Sequence, residues 1–155
     1  MGTVNHEQAN LILKLYDLRR EPKLREARAW FVPNFWANSY EEVMQKFPAG
    51  SAGNTHFRMV IGYWEMAASM VNRGLVEDEF FFENNGEMFW VWDRIRGVVP
   101  SARAMQGNPR MFAQLEAAGT RMEKWWNTFA PGYIEAQRKR FAAIRDTTAR
   151  PAGAS

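Results

Sequence analysis

Between Asn54 and Arg73 runs the segment that most restricts how this chain folds. Phe57, Val60, Trp64, Ala67 and Val71 recur at spacings of three and four, the period of one helix face. Met59, Tyr63, Met66 and Met70 make a second apolar face, leaving only the line Arg58, Gly62, Glu65, Ser69 and Asn72 polar or small. A helix that is apolar round most of its circumference has to be surrounded, so residues 54–73 predict the centre of a bundle. Asn54 is the expected N-cap. Gly74 is the expected left-handed close, with Leu75 supplying the accompanying apolar contact.

The flanking segments keep the same period. Leu11, Leu15 and Leu18, widened by Ile12 and Tyr16, predict a first helix over 5–20. Pro22 opens a second through Leu24, Ala27, Trp30 and Phe31, since proline's missing N–H costs nothing in a first turn. Ser39 and Glu42 form a capping-box pattern for a short third helix, stopped by Pro48 and Gly50. Beyond the centre, Glu77, Asp78 and Glu79 sit where a helix N-terminus favours negative charge. Phe80–Phe82 follow, then a helix from Glu87 to about Val98, and a further turn at Pro100. Asn108-Pro109 predicts the start of a long helix whose face is Phe112, Leu115, Met122, Trp126 and Phe129. The last helix is expected from Pro131, with Ile134, Phe141 and Ile144 as its stripe. Alternating β-branched runs and fixed-period repeats are both missing. The expectation is an all-α, single-domain multi-helix bundle over 1–147, with 148–155 as a disordered tail.

Composition narrows the function classes. The chain has 155 residues, enough to bury a core, and seven Trp, eleven Phe and four Tyr to fill it. With no cysteine, disulfides, thiolate zinc sites and a cysteine nucleophile are excluded together. No run approaches the ~18 apolar residues of a spanning helix, and Met1–Asn10 lacks a signal-peptide pattern, so a cytoplasmic location is expected. Net charge is +3 but uneven: +1 over residues 1–50, −3 over 51–100 and +5 over 101–155. The basic end suits either an acidic partner or the chain's own acidic middle.

Metal and nucleophile chemistry are disfavoured residue by residue. A di-iron bundle needs Glu-x-x-His pairs, and neither His6 nor His56 follows a Glu by three. Aligning Gly86 with the invariant glycine of a calcium loop puts Phe81 and Trp92 at ligand positions. Phosphate-binding glycine spacings are missing, and His56 reads as a solvated histidine near a helix start. No metal, cofactor or catalytic set is therefore assigned. Glu65 is the most informative single residue, because a carboxylate beside Trp64, if buried, must be paired or protonated. Arg94, Arg103 and Arg28 are its candidate partners in a structural ion pair. The alternative makes Glu65 the polar anchor of a ligand pocket walled by Trp64, Trp90, Trp92 and methionines. Trp125 and Trp126 point ~100° apart on a helix, so one is expected at a second packing surface or an interface, joined by Arg138 and Arg140. Glu135 and Asp146 interrupt that basic stretch, which disfavours nucleic acid.

Three stretches carry a family resemblance: Leu15-Tyr16-Asp17-Leu18-Arg19-Arg20 leading to Arg25-Glu26-Ala27-Arg28, Tyr63-Trp64-Glu65-Met66-Ala67 leading to Arg73-Gly74-Leu75, and Trp92-Asp93-Arg94-Ile95 leading to Arg103. Over about residues 10–105 their order and spacing resemble an all-helical bacterial family known only as a domain of unknown function. Many members place a membrane helix ahead of the domain, and the two C-terminal helices here look like a departure. The resemblance implies fold and no mechanism. The functional expectation is a non-enzymatic interaction module, an adaptor or accessory subunit with a protein partner or a second copy, and peripheral membrane contact stays open.

Overall fold

The computed structural model describes residues 3–149. Among them it forms nine helices and no strand: α1 His6–Arg19, α2 Pro22–Asn34, α3 Tyr40–Lys46, α4 Ala52–Asn72, α5 Asp78–Asn84, α6 Glu87–Ile95, α7 Val99–Gln106, α8 Ala113–Phe129 and α9 Tyr133–Ala149.

The N-termini of α1 to α4 are set by side chains close in sequence. Asn5 accepts from the Gln8 N–H at 2.9 Å to open α1, and Glu21 accepts from the Leu24 N–H at 2.9 Å ahead of Pro22. Ser39 accepts from the Glu42 N–H, while the Glu42 carboxylate reaches back to the Asn38 N–H at 2.7 Å. Helix α4 begins earlier than its sequence suggests. Ser51 is the N-cap, and Asn54 lies inside the first turn, where its amide donates to the Phe47 carbonyl. Its far end closes as expected: Gly74 has φ of 75°, Gly74 N–H donates to Val71 and Leu75 N–H to Met70. Leu75 itself stays 56% exposed.

Helix α4 is the centre of the bundle. Phe57, Val60, Ile61, Tyr63, Trp64, Ala67, Ala68 and Val71 are buried, and α2 and α8 both pack extensively on this helix. Helix α6 packs on α8, and α9 lies against α2 and α8. Packing is closest at Gly119 of α8, where a Cβ would collide with the Trp92 indole. In the periphery several expected core positions face out instead. Tyr16 and Leu18 of α1, Met66 of α4, Phe129 of α8 and Ile144 of α9 are exposed, because each stripe is narrower than its apolar residues. Helix α9 continues through 148–149, the first residues of the expected tail; the remainder of that tail, 150–155, lies outside the described residues. No helix among the described residues is long and apolar enough to cross a membrane.

Candidate functional site

Glu65 does not pair with an arginine. Its two oxygens accept from the backbone N–H groups of Gln114 and Leu115, at 3.0 and 2.9 Å. These are the second and third residues of α8, the donors that an N-cap side chain ordinarily satisfies. The residue at the cap is Phe112, which has no acceptor and sits in the left-handed region at φ of 62°. A carboxylate on α4 thus caps the neighbouring α8, where it also meets the positive end of the helix dipole. Asn108-Pro109, the expected start of α8, forms a separate turn: the Asn108 carbonyl accepts from Met111 N–H and its side chain from Arg110 N–H.

The three arginines expected near Glu65 each have other work. Arg28 clasps Glu87 through Nε and Nη2, at 2.9 and 2.7 Å. Arg103 donates to the Met111 carbonyl and pairs with Glu116 at 3.3 Å. Arg94 donates Nη1 to the carbonyls of Val32 and Phe35, at 3.0 and 2.8 Å, and so holds the C-terminal end of α2. The expected aromatic pocket around Glu65 also does not form. Trp64 is fully buried, with its indole N–H directed at Glu87, and Trp92 is buried against Gly119. Glu65 instead edges an apolar cavity of about 280 Å³ walled by Met44, Phe57, Ile61 and Phe112.

Arg94 opens onto a different cavity, of about 430 Å³, to which α3 contributes Glu42 and Lys46. The α2–α3 corner contributes Trp36, α6 contributes Trp90, Asp93 and Arg94, and α9 contributes Arg138, Phe141 and Arg145. Positions 90, 93 and 94 share a helix face, as do 138, 141 and 145, which is why two helices suffice for most of the wall. The Arg94 guanidinium lies over the Trp36 ring at 3.4 Å and within 5.4 Å of the Phe141 ring centre. Arg145 approaches Trp36 from 4.9 Å. Burial pushes the Arg94 pKa down to about 10, Asp93 opposes the shift, and Arg145 adds to it. Arg94 remains a cation at neutral pH, and among the described residues no carboxylate lies within ion-pair distance of it.

Of the expected interface residues, Arg138 turns inward, clasping Asp93 at 3.0 and 2.8 Å. This pair ties α9 to α6, so that part of the basic end meets the chain's own acidic middle. Arg140 is exposed. Trp126 packs against Phe89, Trp90 and Tyr133, and Trp125 against Phe82 and Phe129, with the two indoles 6.2 Å apart at the edge of one core. His56 is half-exposed near the start of α4. It tilts against Trp30 at 5.5 Å, with Nδ1 buried and without a hydrogen-bond partner among the described residues. Sequence reading missed Trp36, whose signal was positional only: it follows the last turn of α2, where Pro33 already limits the helix.

No curated protein and no solved structure matches this chain. A family model described as a domain of unknown function, DUF4760, matches residues 6–125. The match extends the expected span through most of α8 and leaves only α9 wholly beyond it, so α8 is no departure from the family. The chain belongs to this DUF4760 family.

Proposed function

We propose that this chain is a non-enzymatic helical interaction module, an adaptor or accessory subunit working in the cytoplasm or at the inner face of a membrane. It binds its partner through the cleft between the α2–α3 corner, α6 and α9. The observation that carries this reading is Arg94, a half-buried cation with no carboxylate partner among the described residues, stacked on Trp36 at 3.4 Å. Desolvating a guanidinium without a counter-ion is costly, and a bound anionic group offsets that cost. Asp93 is a poor candidate for a free catalytic base, because Arg138 and Arg96 both engage it.

Photo-crosslinking in the native host from a probe at Lys46, on the rim of the cleft, tests the reading. A discrete crosslinked protein that disappears in Arg94→Gln supports it. A strictly monomeric chain by light scattering, with no Arg94-dependent crosslink, overturns it. A second reading, a small-molecule-binding protein, draws on the apolar cavity edged by Glu65. Loss of a bound compound on Met44→Trp, a substitution that fills that cavity, would favour it over the first.

A further inference from the structure

Three arginines in this protein hold a carboxylate in the same way. Arg28 holds Glu87, Arg121 holds Asp78 and Arg138 holds Asp93, each through the parallel N–H groups of Nε and Nη2. That edge matches the two oxygens of a carboxylate in spacing and plane. Arg94 uses only Nη1, on two carbonyls, and among the described residues its Nε and Nη2 make no hydrogen bond. Resting on the reading of this cleft as a binding site, we infer that it takes a single carboxylate carried on an apolar body, received by the Nε–Nη2 edge of Arg94.

Charge and shape both select this class. Among the groups lining the cleft, Glu42 is paired with Lys46 at 2.7 Å and Asp93 with Arg138 at 2.8 Å. Arg145 is bonded to its neighbour Asp146 at 3.1 Å. Asp146 lies outside the cleft lining, and with Arg145 taken up by it Arg94 is the one lining cation left without a carboxylate, which a monoanion neutralises. A phosphate dianion exceeds it and meets the Glu42 and Asp93 carboxylates on the same walls. The rings of Trp36, Trp90 and Phe141 supply apolar surface for the body of the ligand. The cavity volume of about 430 Å³ falls within the range of small-ligand clefts. Two sources present this chemistry: a free organic acid, and the terminal carboxylate of a chain that ends in an apolar residue.

Calorimetric titration of the full chain distinguishes them. The probes are 3-phenylpropionate, 3-phenylpropionamide, acetate, inorganic phosphate, and the tripeptide Gly-Gly-Phe with a free or an amidated C-terminus. The expected result is that 3-phenylpropionate or the free tripeptide binds at least ~10-fold more tightly than its own amide, the factor a charge-assisted pair supplies. Acetate, which lacks the body, is expected to bind more weakly still. Whichever of the two is tighter names the source. Arg94→Gln is expected to reduce the affinity ~10-fold. Because Arg94 also holds two α2 carbonyls, Arg145→Gln is the second variant. Arg145 makes no long-range hydrogen bond among the described residues, and its loss is expected to weaken binding about threefold. Equal binding of acid and amide, or phosphate binding more tightly than either carboxylate, overturns the inference. So does the absence of binding by every probe at millimolar concentration. An Arg94-dependent crosslink in the host that persists alongside such a null titration leaves the interaction module standing and removes only the carboxylate.

Discussion

Glu65 follows Trp64 on α4, and the ~100° between successive helical residues turns its carboxylate away from the core face that Trp64 fills. Its singularity was legible from Trp64 and Met66 on either side. Its partners were not, because they are backbone N–H groups some fifty residues on, and a sequence displays side chains rather than unsatisfied amides. Phe112 was the hidden signal: a helix whose capping residue has no acceptor must borrow one. Removing it should therefore behave as loss of a cap. Glu65→Ala is expected to cost about 1–2 kcal/mol. Glu65→Gln, which keeps one acceptor and loses the charge, is expected to cost about half as much. Urea unfolding with an unchanged m-value reads both, and coincident midpoints for the three proteins would show that α8 does not depend on this carboxylate.

At the scale of elements, legibility followed how local the determinants were. Helix α3 was readable because Ser39 and Glu42 are its own residues, whereas the start of α8 was misplaced by a proline that belongs to the preceding turn. Glu42 shows the local case in electrostatic form. Lys46 and then the Asn38 N–H hold its carboxyl below the usual range, so its contribution is present above the ordinary glutamate pKa and is lost as pH falls through the lowered value. In Glu42→Gln the melting temperature should consequently fall less steeply on acidification below pH ~4.5; an unchanged slope would count against the Lys46 and Asn38 contacts. Helix α9 presents the opposite situation. Among its described residues only Ile134 is buried, and Arg138 supplies much of its attachment through Asp93. Its amides are expected to exchange with solvent orders of magnitude faster than those of α4, and faster again in Asp93→Asn. Equal protection of the two helices would mean that α9 opens only with the whole bundle.

For the whole molecule, the sequence left the basic end two uses, an external acidic partner or the acidic middle. Arg121 on Asp78 and Arg138 on Asp93 are of the second kind, whereas the unpaired Arg94 of the cleft belongs to the middle segment itself. The cleft was not legible as a site because its wall joins α6 to α9 across some fifty residues, and only the fold brings Trp36 to both. This arrangement also divides the chain unevenly: the family match ends within α8, so α9 is packed onto a domain that has its own centre in α4. A chain stopped after Ala130 should accordingly retain cooperative helical unfolding, because every buried residue of α4 and α8 keeps its neighbours on α2 and α6. It loses the rings of Tyr133 and Phe141 from Trp90, and Tyr133 from Trp126. Tryptophan emission is expected to shift to the red, and the melting temperature to fall by about 5–10 °C, the equivalent of a few kcal/mol in a domain of this size. Circular dichroism and fluorescence on the shortened chain check both. If the shortened chain has lost its cooperative transition, then α9 is part of the folding unit rather than an addition to it.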